Sequence, residues 1–337
     1  MKKRLYIISF FSITLVTLSC QNLLVEPASQ NDNMEDFITV WHTVNTVYPL
    51  LEFKNIDWDS IYTAYLPRAE AARGDEMYPL LTDLLGELHD GHASLITNGG
   101  WPISTWESPR LQRDRHAFSP LVVRNYFSHP LEIAGQGNLE YEYMTPDIGY
   151  IYISTFTEGD WKRAFDQILR YFGDSKGLIL DVRNNSGGHG STFYYLLAKF
   201  LTSPVTVTDF SRTLTRKTTI SPSTENQYTK PVVILLNGTS ASAAEIFPAL
   251  MHDEQAVTLI GDTTAGLGGN IYEFDLPSGK RARIINRYFT SYDGTVIEWN
   301  GVVPDIRVEQ TPADLQQGAD YQLEFARDYL SGLPSGR

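Results

Sequence analysis

Apolar residues recur at three- and four-residue steps between residues 34 and 48, at Phe37, Val40, Trp41, Val44 and Val47. That spacing predicts an amphipathic helix. A second helix is expected from about Trp58, with Asp57 or Asp59 as its cap. A third is expected over residues 76–88, on Leu80, Leu81, Leu84, Leu85 and Leu88. The pattern changes after Gly91, where Pro, Gly and Asn punctuate short β-type runs such as residues 121–124.

Further on, strands and helices alternate. Residues 148–153 read as a strand, 162–172 as a helix, 177–182 as a buried strand and 191–201 as a helix. Residues 231–236 form another wholly apolar strand, followed by a turn and a helix, and 315–330 read as a terminal helix. This alternation predicts an α/β core with parallel strands. The expected organisation is a helical unit over 33–95, a strand-rich connecting region or flap over 96–147, an α/β core over 148–310, and a C-terminal helix and tail over 311–337.

The start of the chain follows other rules. Lys2, Lys3 and Arg4 precede an apolar stretch over residues 5–18, which reads as a signal peptide over 1–20 followed by a tether over 21–32. That stretch ends at Cys20, the only cysteine in the chain. A small residue and then a cysteine is the pattern of a bacterial lipoprotein processing site, with Cys20 as the lipid-bearing residue. The expectation is an exported, membrane-anchored protein of the cell envelope. A disulfide framework and a cysteine nucleophile are both excluded for the mature chain. The net charge of -13 argues against a nucleic-acid partner.

Three segments could carry chemistry. In Asn237-Gly-Thr-Ser-Ala-Ser-Ala-Ala-Glu245 a serine sits between a buried strand and a helix, where free N–H groups favour developing negative charge. The same Ser242-Ala-Ala-Glu245 also reads as a helix capping box. In Asp181-Val-Arg-Asn-Asn-Ser-Gly-Gly188 paired glycines follow a strand; they read either as an oxyanion cradle or as a tight turn. In Glu87-Leu-His-Asp-Gly-His92 a helix-end histidine reads as a general base, or as a residue near a C-cap at Gly91. His89, Asp90 and His92 hint at metal ligands, but no further ligand cluster with metal spacing occurs, so no metal is expected.

Taken in order, these segments resemble the tail-specific (C-terminal processing) proteases and the tricorn-core peptidases. Trp41, Tyr48-Pro49, Lys54 and Ile56-Asp-Trp-Asp59 are similar to the family's helical region. Asp90-Gly-His92 resembles its histidine motif, and residues 180–188 its strand and turn ending in Gly-Gly. Residues 237–247 resemble the Ser-Ala-Ser-Ala-x-Glu segment, whose second serine is the nucleophile. Residues 261–268, Leu276-Pro-Ser-Gly279 and Glu298-Trp-Asn-Gly-Val-Val-Pro-Asp305 are similar to the closing segments. The resemblance implies a ClpP/crotonase-like spiral core carrying an N-terminal helical unit.

It also implies a serine peptidase with Ser242 as nucleophile, His92 as base and Glu298 completing the relay. The N–H groups of Gly188 and Ala243 would form the oxyanion hole, with Gly187 as second choice, and no cofactor is needed. This chain departs from the family pattern at two positions within the catalytic motifs. Leu267 occupies the place of the lysine base of the tail-specific branch, so a Ser–Lys mechanism is excluded. Gly91 occupies the place of the serine that links histidine to glutamate in the tricorn branch. The stretch of about 55 residues over 93–147 is short for a PDZ module. The expected partner is a peptide or protein substrate. An esterase, or a non-catalytic carrier of hydrophobic ligands or peptides, is the alternative on the same scaffold.

Overall fold

The computed structural model describes residues 30–97, 99–252 and 257–333. Cys20, the signal peptide and most of the tether lie outside the described residues.

Two sheets organise the chain. The seven-stranded sheet runs in the order Ile306–Arg307, Val257–Gly261, Val232–Leu236, Gly177–Asp181, Ile148–Ile153, Leu139–Thr145, Glu132–Ala134. The first five strands are parallel and the last two pairings are antiparallel. The central strands are apolar and fully buried, as expected of strands covered on both faces. Helices Trp161–Tyr171, Gly190–Phe200 and Ala243–Met251 pack against one face, and Tyr321–Gly332 against the other.

The second sheet has six strands, all antiparallel, with Arg281–Phe289 at its centre. The N-terminal helices Gln30–Val47, Trp58–Ala71 and Met77–Gly86 bury Phe37, Val40, Leu81 and Leu84 against Ala282, Ile284 and Ile285 of this strand. Asp57 caps the second helix by accepting the Ser60 N–H at 3.0 Å.

Local chemistry overrides the sequence pattern at three places. Residues 121–124 belong to a helix, Pro120–Arg124, and not to a strand. Ser119 accepts from the Val122 N–H, and Pro120 supplies a preset φ at the first helical position. The terminal helix is two helices, Pro312–Gln316 and Tyr321–Gly332, separated at Gly318 with φ 82°. Gly91 is not a C-cap; the left-handed residue after the third helix is His89, with φ 46°. The stretch over 96–147 carries the helices Pro109–Asp114 and Pro120–Arg124 as well as strands.

A buried ionic cluster fixes the C-terminus to the central strands. The fully buried Arg183 guanidinium donates to Asp181 Oδ2 at 2.6 Å and to both Asp320 carboxylate oxygens at 2.8 and 2.9 Å. Its plane lies 4.9 Å from the Phe118 ring centroid, and Asp181 also accepts from the Tyr150 hydroxyl at 2.9 Å. Asp181 and Arg183 of the Gly-Gly motif therefore hold the fold together. Removing one partner would leave buried charge uncompensated. Arg183→Met is expected to lower the free energy of unfolding by about 3–5 kcal/mol, measured by urea denaturation; a change under about 1 kcal/mol would contradict this role.

Candidate active site

Three loops leave the carboxyl ends of neighbouring parallel strands: 182–188 after Gly177–Asp181, 237–242 after Val232–Leu236, and 262–268 after Val257–Gly261. Ligands gather at that edge of an open α/β sheet. Ser242 stands where the second loop enters its helix, with φ 56° and ψ −120°. A non-glycine residue in this region is strained and is held there by its surroundings.

Glu245 does most of the holding. Its fully buried carboxylate accepts the Ser242 N–H at 3.0 Å, the Leu267 N–H at 2.7 Å, the Gly266 N–H at 2.7 Å and the Thr264 hydroxyl at 2.5 Å. Burial pushes its pKa up to about 7, against four donors that favour the anion. The capping box read from the sequence is present: Glu245 accepts the Ser242 N–H, and the Ser242 side chain meets the Glu245 N–H, though without a cap hydrogen bond of strict geometry.

The Gly-Gly turn lies against the serine. A Cβ on Gly187, at φ 102°, would fall 2.6 Å from Ser242 Cβ; one on Gly188, at φ 141°, would fall 2.2 Å from Phe156 O. Only glycine fits at either position. The Gly187 N–H is taken by Asn185 Oδ1 at 2.7 Å. Among the described residues the N–H groups of Gly188 and Ala243 donate no hydrogen bond.

His92 approaches from the helical unit, and Glu298 from the loop after the six-stranded sheet. One ligand atom from each of Asp90, His92 and Glu298 lies within 4.8 Å of the other two. Asp90 Oδ1 accepts the His92 backbone N–H at 2.8 Å and lies 3.8 Å from its Nδ1. His92 Nδ1, Asp90 Oδ2 and Glu298 Oε2 are buried without a hydrogen-bond partner of ordinary geometry, and the buried Tyr48 hydroxyl interacts with the Asp90 carboxylate. Lys54 Nζ reaches Glu298 Oε1 at 3.3 Å and donates to the Leu88 and His89 carbonyls at 3.1 Å each.

Burial lowers the His92 pKa below its ordinary value; Asp90 opposes this and Lys54 adds to it. Burial and the Asp90 charge raise the Glu298 pKa well above the carboxylate range, and Lys54 pulls it back. Glu298 and His92 are thus brought together. No hydrogen bond links them, and none links the imidazole to the Ser242 hydroxyl. Catalytic contacts of this kind are often long without substrate.

Two groups had no chemical signal in the sequence. Lys54 stood only within a family-like stretch of the helical unit, and Tyr48 likewise. Asp90 was visible beside the histidine, but its partner Glu298 lies more than two hundred residues away. The reason for Gly91 is also spatial: a Cβ there would meet Leu267 Cδ2 at 2.9 Å. The leucine in the lysine place fills the room that a linking serine would need.

Comparison with known proteins gives a family. The profile of Peptidase family S41 matches residues 147–308, and that of the Tricorn protease C1 domain matches residues 29–86. The chain belongs to the tail-specific protease superfamily. The carboxy-terminal processing protease CtpA of Bacillus subtilis (strain 168) is 32% identical over 165 residues, which is 48% of this chain and 35% of that protein. The chain thus matches about a third of that relative's length. A candidate peptidase from Parabacteroides merdae ATCC 43184 superposes with a TM-score of 0.77 at 27% identity, over 92% of this chain and 98% of that one. The tricorn protease, at 18% identity and TM-score 0.61, covers 89% of this chain and 36% of its own; it shares the fold. The mixed α/β fold is shared with these two solved structures.

The contact between Gly91 and Leu267 yields a test. Gly91→Ser alone is expected to cost about 1–2 kcal/mol by overpacking. Adding Leu267→Ala opens the space, so the two changes are non-additive by at least about 0.5 kcal/mol in a double-mutant cycle of urea unfolding. Strict additivity would mean that the two positions do not share this space.

Proposed function

We propose that this protein is a serine peptidase in which Ser242 is the nucleophile and His92 the general base. Ser242 Oγ attacks a peptide carbonyl while His92 takes its proton, and the tetrahedral intermediate collapses as His92 returns that proton to the leaving amine. Water, deprotonated by the same imidazole, then hydrolyses the acyl-enzyme and restores Ser242. The Gly188 and Ala243 N–H groups hold the oxyanion, in keeping with their lack of partners. Glu298 orients His92 and stabilises its charged form, without the bridging hydroxyl that Gly91 lacks. The observation that carries this reading is the strained Ser242 turn with two unused N–H groups beside it. No metal or organic cofactor enters these steps.

The substrate is a peptide or protein met outside the cytoplasm, because the signal-like N-terminus and Cys20 direct the chain to the cell envelope as a lipoprotein. Among the described residues no helix is long and apolar enough to cross a membrane. The CtpA relative is named for carboxy-terminal processing; tail-directed cleavage is not part of this proposal.

A fluorophosphonate probe should label the wild type and fail to label Ser242→Ala, with peptide turnover lost in parallel. Absence of both labelling and turnover in the folded wild type would refute the assignment. The pH profile gives a second test. His92 acts when neutral and its pKa is lowered, so the acid limb of kcat/KM should have its midpoint below 6.5. Lys54→Met removes a positive charge and should move that midpoint up; Asp90→Asn should move it down.

A further inference from the structure

Asp90, His92 and Glu298 form a set that the sequence could not assemble: one imidazole and two carboxylates, with ligand atoms within 4.8 Å of one another. His92 Nδ1 and Glu298 Oε2 are buried without a hydrogen-bond partner, and Asp90 Oδ2 has none of ordinary geometry, its carboxylate interacting with the Tyr48 hydroxyl. Both carboxylates are fully buried, and the His92 side chain is 10% exposed. Buried polar atoms are normally satisfied, and while the Tyr48 hydroxyl interacts with Asp90, His92 Nδ1 and Glu298 Oε2 are left to a further ligand. Lys54 Nζ satisfies only Glu298 Oε1, and at 3.3 Å. With one ammonium among two carboxylates, the ionised cluster carries a formal surplus of one negative charge.

We propose that Asp90, His92 and Glu298 form an inhibitory site for a divalent transition-metal ion, zinc in the first instance, which closes the active site by occupying its general base. The donor set decides the metal. An imidazole with two carboxylates suits zinc, whereas magnesium and calcium favour oxygen ligands alone. Tetrahedral zinc with bonds of about 2.0–2.2 Å sets its ligand atoms about 3.3–3.6 Å apart. From separations of up to 4.8 Å the trio has to close by at most about 1.5 Å, which side-chain rotation can supply. A zinc ion on His92 Nδ1 would fix the ring, draw Glu298 away from its orienting role and place a dication where histidinium must form. Hydrolysis would stop until the metal left. Lys54 is the built-in competitor, since its ammonium already offsets part of the charge.

The inference rests on the peptidase reading for its inhibitory meaning, but the site can be tested without turnover. Ser242→Ala keeps all three ligands and lacks the nucleophile. Zinc chloride titrated calorimetrically into this variant should bind at one equivalent that is absent from Ser242→Ala/His92→Gln. Asp90→Asn, which can still accept the His92 N–H, and Glu298→Gln should each weaken that equivalent by more than tenfold. Lys54→Met should tighten it several-fold, which a merely structural lysine would not do. Melting curves identify any variant that fails to fold, and the remaining ones still decide. Zinc that binds with unchanged affinity in the folded His92→Gln variant, or no binding up to about 100 μM zinc, overturns the proposal. In the wild type, zinc should block fluorophosphonate labelling and EDTA should restore it. Binding to Ser242→Ala without any wild-type labelling would uphold the metal site while refuting the peptidase.

Discussion

A single buried carboxylate organises the edge of the seven-stranded sheet where the candidate site lies. Glu245 receives N–H groups from Ser242, Gly266 and Leu267 and the hydroxyl of Thr264. It thereby sets the Ser242 turn and the neighbouring loop in one register. The loop passes that register on, because the Trp299 N–H donates to Gly266 O at 2.8 Å and the Val302 N–H to Thr264 Oγ1 at 2.7 Å. Glu298 is carried between those two anchors. Burying an anion is costly unless it is fully hydrogen-bonded, and here four donors meet that condition. The strain in the Ser242 backbone is stable because this network leaves the chain no other path.

The two departures from the family pattern are one event in space. Positions 91 and 267, the two read from the sequence as departures from the family pattern, touch. A leucine side chain with Ala241 and Ala265 around it makes a small apolar patch, on which Trp106 and Leu111 pack. Arg110 secures that overlying segment by donating to the Thr264, Ala265 and Trp299 carbonyls. A polar linking residue at position 91 would have to face this apolar patch.

How much of this could be read from the sequence depends on the range of the interaction. Periodicity located the helical unit and the parallel strands, because burial of Leu80, Leu84, Ile179 or Leu235 is written into local spacing. The nucleophile turn was legible because Ser242 and Glu245 are three residues apart. Residues 121–124 failed because Val122 and Val123 are buried in any conformation, and the Ser119–Pro120 start outweighed their β propensity. The end of the chain failed because Gly318 breaks an apolar pattern that continues on both sides. Lys54 and Tyr48 were illegible as site residues, since their partners are carbonyls and carboxylates brought in by tertiary contact alone.

The placement of Glu298 explains why the histidine can come from a different unit than the serine. Val296 packs with the helical unit and the six-stranded sheet, while Ile297, the next residue, belongs to the core of the seven-stranded sheet. The strand Arg281–Phe289 is divided in the same way, with Ile284 and Ile285 in the first core and Phe289 in the second. Glu298 therefore emerges where the two cores meet. From there Lys54 ties it to the Leu88 and His89 carbonyls, two consecutive residues that lead directly into Asp90 and His92. The lysine neutralises part of the buried charge and fixes the distance between the units in the same contact. A shift of the helical unit would break this three-way contact while the Ser242 turn, held by Glu245, stayed as it is. The distance between His92 and Ser242 thus depends on the contact that Lys54 makes.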